Sequence, residues 1–521
     1  MTNGDQTNMG GLPRRHIFHE ALESVEQALA NSGIYELVDR FANPPVRNPP
    51  AFPFLPEQHI LQELKIIMEE GFGTRSSTGT IAVVVPPLHH QVVTAKLNVA
   101  PTAKALKEAR DQLESAIESL EQVYQQTPAG LGITVAWGLP YFQNYIPRLS
   151  KSSPHFSAGT SYPDYLPIDN RASKAVGQTV RALLDAITFP SDQPPPGFPS
   201  VLLEENDVAV LLRSDALDNI TAGANALFGT GPEQAGSLFT VTSIRHGFAG
   251  GGFYGGQSLL CQMARAATIP SAEHIPLNAE LFMGFTSSHA AALGPNLICN
   301  MESLPGLTDQ WPNGYFQHGT TMHLSHLFED LKGWYEGHEV ANFSRFSDRL
   351  RAAFRPGLDL PEGTETVAEG LMQVESEEAV AADLSAHGAV GHSAALQPAT
   401  RLQQDVVDNY GNFYPAGTSI PQRADFNTLD NPFYYSANPS LDHYANSAAA
   451  GLHFVVFAPT SDAFHRGRRA MDGHYPSGRV LNLHPRSFEM GFNALLFTTH
   501  RQNFLVPPRA YRSFPLAEYL T

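Results

Sequence analysis

Residues 207–213 read DVAVLLR, residues 215–227 read DALDNITAGANAL and residues 239–244 read FTVTSI. The outer two are short apolar or β-branched runs, and the middle one sets polar residues beside an apolar stripe. Their order predicts strand, helix, strand. A similar passage stands upstream. Thr80–Pro86 (TIAVVVP) is a continuous apolar run between turn residues and predicts a buried strand. Thr102 then caps a helix with Leu106, Leu113, Ile117, Leu120 and Tyr124 on one face and Lys107, Glu114 and Glu118 on the other. Ile133–Leu139 (ITVAWGL) follows as a strand. Two such passages in succession make one ferredoxin-like half, an antiparallel sheet with helices on one face.

A second set follows with longer insertions. Thr320–Leu327 (TTMHLSHL) predicts a strand, Phe328–Tyr335 the start of a helix, Gly451–Phe457 (GLHFVVF) a strand and Asp462–Met471 a helix. The fold class expected is therefore α+β, with two ferredoxin-like halves. The expected boundaries are 1–79 for an N-terminal arm and helix, 80–256 and 257–472 for the halves, and 473–521 for a C-terminal extension that packs back on the body. The Pro- and aromatic-rich residues 34–58 suit an arm wrapping the body or a subunit contact. Glu362–Asp383 holds seven acidic residues and no basic ones, which reads as a solvated surface loop with some helix.

Composition narrows the function. The 521 residues carry 33 Lys plus Arg against 51 Asp plus Glu, a net charge of −18 that repels phosphate backbones and argues against nucleic acid. Two cysteines, Cys261 and Cys299, supply neither a disulfide framework nor a zinc or iron–sulfur site. No apolar window is long enough to span a membrane. Arg14-Arg15 is followed by an amphipathic pattern instead of an export signal's apolar stretch, so a cytoplasmic protein is expected. Gly-x-Ser-x-Gly and His-Glu-x-x-His are absent. The glycine cluster within Arg245–Gly256 lacks a P-loop ending and a Rossmann context, so it reads as a tight connection.

Several stretches, in this order, resemble the dye-decolorising peroxidase superfamily: LGITVAWGLPYF (131–142), ENDVAVLLRSDALDNI (205–220), HGTTMHLSHLFEDLKGW (318–334) and AGLHFVVFAPTSDAFHR (450–466). Together they span roughly 60% of the chain, and it is their collinear order that carries the likeness to a divergent branch. The resemblance implies haem b held by one proximal histidine. In HGAVGHSAALQP (387–398) His392 takes that position, with small neighbours Gly391, Ser393 and Ala394 leaving room for a flat macrocycle. An imidazole suits iron, and a single axial ligand leaves the other face open. His387, His323 and His326 are the alternatives, although strand alternation puts the last two on opposite faces. Asp383 and Asp405 are candidate acceptors for the ligand's second nitrogen.

On the distal side the family uses a Gly-x-x-Asp-Gly aspartate and an arginine. The matching stretch, Leu281–Ser288, has Ser287-Ser288 in place of Asp-Gly, with His289 following as a possible base. Arg423 is the candidate distal arginine, its structural alternative being an ion pair with Asp425 or Asp430. Phe454 is expected beside the cofactor. The implied function is a haem-dependent oxidoreductase that oxidises a small organic substrate with hydrogen peroxide, with a homo-oligomer as one implied state of the chain. The alternatives are a non-catalytic haem-binding or structural protein, or a haem lyase or dehydratase.

Overall fold

The computed structural model describes residues 34–42, 51–62, 65–69, 80–84, 86–149, 151, 153–157, 159, 164–192, 200–231, 234–250, 258–277, 279–284, 297–337, 343, 345–358, 375–431 and 448–521. Helix α1 (Glu36–Phe41) precedes a separate antiparallel ribbon of β1 (Lys65–Glu69) and β2 (Thr80–Val84). The first half runs β3 (His89–Leu97), α2 (Ala103–Glu121), β4 (Gly132–Gly138), α3 (Leu139–Asn144), α4 (Asn170–Val176), β5 (Leu202–Leu203), β6 (Val208–Ser214), α5 (Leu217–Phe228) and β7 (Phe239–Phe248). After α6 (Leu259–Ala266) the second half begins with β8 (Thr320–Glu329), α7 (Leu331–Glu336), α8 (Phe346–Ala353), α9 (Glu377–His387) and α10 (His392–Thr400). It continues with β9 (Val406–Val407), β10 (Phe413–Tyr414), β11 (Gln422–Arg423), β12 (Phe426–Thr428), β13 (Gly451–Ala458), α11 (Ser461–Met471) and β14 (Leu496–Val506).

Within the first half the strands lie in the order β7-β3-β6-β4, and within the second β14-β8-β13-β12. Both are the fourth, first, third and second strands of a ferredoxin-like unit. The halves join edge to edge, Asn427 opposite Phe248 at one seam and Phe504 opposite Gly138 at the other. The eight strands therefore close into a ring with no free edge between the halves, which removes the unpaired backbone that an open sheet exposes. Its interior holds Val92, Leu211, Met322, Val455 and Phe504. On the outside of the first half, Thr102 caps α2 as expected, accepting from the Ala105 amide. Leu106, Leu113, Ile117 and Leu120 are buried against the sheet, as their spacing requires.

Three expectations need correction. Thr80–Val84 is a strand, but it pairs only with β1 and stands outside the ring; the first strand of the half is His89–Leu97. The C-terminal stretch is also more than an extension, since β14 fills the gap between β8 and β4. The acidic run is only partly a solvated surface: Glu375 and Asp383 are buried and share Arg355, at 2.9 and 2.8 Å. Its residues 362–374 lie outside the described residues, as do 251–257 of the glycine cluster. Gly250 of that cluster is a true close approach, because a Cβ there would sit 1.8 Å from the Glu280 carbonyl oxygen. The arm does pack on the body: Gln58 donates to the Val135 and Pro507 carbonyls and accepts from the Val135 amide. Both cysteines are free and buried. Among the described residues no helix is long and apolar enough to cross a membrane.

Candidate functional site

In the second half the space between the sheet and its helices is a cavity of about 240 Å³, partly open to solvent. Alternation along the strands decides what faces it. Ser325, Leu327 and Glu329 on β8 and Leu452, Phe454 and Val456 on β13 point inward, while α11 contributes Ala463, Phe464 and Gly467. Gly467 is where α11 crosses α10 closely, since a Cβ there would meet Thr400 Cγ2 at 2.8 Å. Leu452 and Phe454 alternate with fully buried neighbours yet keep some exposure, because the space they face is open.

His392, the first residue of α10, projects into this cavity. The preceding Gly391 is fixed by packing: a Cβ there would lie 2.1 Å from the Phe354 carbonyl oxygen, the same oxygen that accepts from the Ala394 amide at 3.0 Å. The room at Gly391 is thus taken up by backbone and not left for a macrocycle; Ser393 does line the cavity. His392 Nδ1 lies 2.5 Å from Asn493 Oδ1, and the Phe492 ring packs at 4.2 Å between centroids. Both partners follow Gly491, whose φ of +58° and 2.4 Å approach to the Ala352 oxygen exclude any side chain. Burial lowers the imidazole pKa to about 4 against the raising effect of the Asn493 bond, with Arg423 and Arg468 lowering it further. The ring is therefore neutral near pH 7. With Nδ1–H donated to Asn493, the lone pair sits on Nε2.

The cavity wall is otherwise apolar, from Leu281, Met283, Phe354, Val456, Phe464 and Leu496, with arginines set into it. Arg423 stands on β11, its Nε 3.8 Å from Asp425 Oδ1, at the outer limit of an ion pair. Arg401 donates to the Gly417 carbonyl, and burial lowers its pKa. Arg468 and Arg501 share Asp192 beneath the cavity. Glu329 is unlike these. Its side chain is buried, Oε2 has no hydrogen-bond partner among the described residues, and burial alone raises its pKa to about 8. At neutral pH it holds a proton.

The structure brings three of the sequence-derived site residues, His392, Arg423 and Phe454, to one cavity. Ser287 and His289 lie outside the described residues, although Leu281 and Met283 of the same stretch line the wall. His387 ends α9, exposed and away from the cavity. His323 and His326 part as alternation requires: His323 stacks on Phe464 at 3.4 Å, while His326 faces the ring interior beside His453. Neither expected acceptor serves His392. Asp383 binds Arg355 and Asp405 accepts from the Ala416 amide; the acceptor is Asn493. Asn493, Glu329 and the further arginines were not marked by any local pattern.

Among solved structures, the chain is similar to a DyP-type peroxidase from Cellulomonas bogoriensis, at 15% identity over 85% of this chain and 94% of that one, with a TM-score of 0.44. It is also similar to the dye-decolorizing protein from V. cholerae (11% identity, 84% and 97% covered, TM-score 0.43). The encapsulated DyP-type peroxidase from Mycobacterium smegmatis is a third (11%, 85% and 99%, 0.42). None of these likenesses is close enough to carry a residue's role across. No curated protein matches the chain. The family model described as "Family of unknown function (DUF7405)" matches residues 177–508, a span that includes every cavity residue named above. By that match, which covers well over half of its length, the chain belongs to the DUF7405 family.

Proposed function

We propose that the cavity of the second half binds haem b through His392, and that the chain is an oxidoreductase using hydrogen peroxide on a small organic substrate. One observation carries this reading: a neutral imidazole whose Nδ1 is held by Asn493 while the ring borders an open, apolar space. A ligating histidine needs this arrangement, with one nitrogen fixed by a hydrogen bond and the other left basic. The remaining residues fit the group as well. Apolar walls suit a macrocycle, and Arg401 and Arg423 suit its carboxylates. Bound there through His392, haem would supply an iron able to take up peroxide or substrate.

The chain's own residues then handle charge and protons. Arg423 stabilises negative charge developing on oxygen. Glu329, protonated near neutral pH and lining the same cavity, serves as a proton donor. The loss of the resembled family's distal aspartate favours a second reading, in which haem is bound without turnover.

Purified full-length protein expressed with ample haem is expected to show a Soret band. His392→Ala is expected to lose it while the far-ultraviolet circular dichroism stays that of the parent. Full haem content with an unchanged spectrum in His392→Ala overturns the assignment. Peroxide-dependent oxidation of a dye by the haem-loaded parent then separates the enzyme from the non-catalytic binder.

A further inference from the structure

A second polar centre shares no residue with the cavity. Glu57 from the arm, Glu302 from the turn after residue 299, and His318 just ahead of β8 converge, their donor atoms all within 4.8 Å of one another. His318 Nδ1 lies 3.1 Å from Glu57 Oε1 and 3.4 Å from Glu302 Oε1. The two carboxylates are almost wholly buried, with side-chain exposures of 8% and 0%. This is unlike a surface acidic patch. Burying two anionic groups is costly unless positive charge is supplied. Elsewhere in this molecule guanidinium groups supply it. Asp192 takes Arg501 and Arg468, Glu121 takes Arg512 and Arg509, and Asp383 takes Arg355. Among the described residues no lysine or arginine comes within ion-pair distance of Glu57 or Glu302; the imidazole is their one basic partner.

Three side chains from separate segments thus present two carboxylate oxygens and one imidazole nitrogen to a common point. Around an ion with bonds of ~2.1 Å, neighbouring donors lie roughly 3.0–3.4 Å apart in octahedral or tetrahedral geometry. The separations from the His318 nitrogen match. The donors are also hydrogen-bonded, and the Tyr410 hydroxyl lies 3.4 Å from His318 Nδ1 itself. Asn300 Nδ2 donates to Glu57 Oε1 and Glu302 Oε1, the His318 amide donates to Glu302 Oε2, and the Tyr410 hydroxyl donates to Glu302 Oε1 at 3.0 Å. Tyr410 also stacks on the His318 ring. That ring is 29% exposed along a surface groove that carries Glu118, so an ion has a path from solvent.

We propose that Glu57, Glu302 and His318 bind a divalent first-row transition cation. The mixture of hard oxygens with one imidazole, and no thiolate, suits Zn²⁺ or Mn²⁺ over Mg²⁺, which prefers oxygen donors and its own waters.

The test uses full-length protein stripped with EDTA and exchanged into clean buffer at pH 7.5. Equilibrium dialysis against Zn²⁺, Mn²⁺ and Mg²⁺ in turn is expected to give one equivalent of Zn²⁺ or Mn²⁺, with Mg²⁺ bound at least tenfold more weakly. The same ion is expected to raise the unfolding temperature. Glu302→Gln and His318→Ala are each expected to weaken binding at least about tenfold and to cancel that rise. If Glu302→Gln does not fold, His318→Ala decides, because its ring is partly exposed. Absence of stoichiometric Zn²⁺ and Mn²⁺ binding, or affinity that survives His318→Ala, overturns the proposal and leaves an ion-paired imidazolium. The Soret band of haem-loaded His318→Ala is expected to equal the parent's, which keeps this result separate from the fate of the haem reading.

Discussion

The two halves share one strand order and treat the space between sheet and helices in opposite ways. In the first half Val93, Ala95 and Leu97 of β3, Ile133, Val135 and Trp137 of β4, and Val208, Val210 and Leu212 of β6 meet α2 and α5 in a continuous apolar core. In the second half the equivalent strands offer Ser325, Leu327 and Glu329, then Leu452, Phe454 and Val456, and α11 answers with Ala463 and Gly467. The last helix-facing residue of the first strand is Leu97 in one half and Glu329 in the other. A full core stabilises through burial. An unfilled one gives up that stabilisation and keeps a binding space. Repetition of topology has therefore left one half to carry stability and the other to carry a site.

The contrast is most exposed to test at Glu329. Its pKa rises from the usual carboxyl range to about 8 on folding, so between those values the native state holds a proton that the unfolded chain has released. Stability attributable to this group is complete below the unfolded pKa and falls as pH rises, by ~1.4 kcal/mol per unit, until the folded pKa is passed. The total is several kcal/mol in order of magnitude. Glu329→Gln is expected to flatten this stretch of the profile in denaturant titrations from pH 5 to 9. Leu97 gives the first half no such term. An unchanged slope in Glu329→Gln would mean that the carboxyl is not buried in its acid form.

Next in size is a matched pair of truncations. Trp137 is buried against Tyr141 and Phe514, and its Nε1–H donates to the Arg512 carbonyl at 2.8 Å. Trp137→Ala opens a cavity where there was none and is expected to cost ~3–5 kcal/mol. Phe464→Ala only widens a space that already exists and is expected to cost about half as much or less. Equal losses in urea unfolding would remove the distinction between a filled and an unfilled half.

Much of this arrangement was legible in the sequence wherever burial left a period. The α2 stripe, the β6 and β13 runs and the split of His323 from His326 follow from spacing alone. His392, Arg423 and Phe454 came from the family resemblance and do meet at one cavity. The misses have physical causes. More than half of β3 (HHQVVTAKL) is polar: His89, His90 and Thr94 are buried with side-chain hydrogen bonds to Asp39, the Pro87 carbonyl and Thr242, and Gln91 is buried beside them, so neither an apolar run nor alternation marks it. Thr80–Val84 looks more strand-like and drew the first-strand assignment. Asn493 lies 101 residues from His392, and sequence proximity pointed instead to Asp383 and Asp405. Glu329 betrays nothing until burial strips away its partners.

The smallest expected effect is the most informative about how the second half is built. If Asn493 serves only to fill space, Asn493→Leu keeps haem affinity. If its oxygen orients the His392 ring, both Asn493→Leu and Asn493→Ala weaken affinity by about 10–100-fold, the usual cost of losing the acceptor behind a ligating imidazole. Asn493→Asp separates the roles further. It keeps the acceptor and adds charge, which makes the imidazole a stronger donor to iron, so affinity is expected to hold while the absorption spectrum of the ferric protein shifts. Haem titration of the stripped variants, followed in the Soret region, reads both quantities at once. Parent-like affinity in Asn493→Ala would mean that Gly391 and the start of α10 position the ring unaided, and the 488–495 segment would then contribute packing alone.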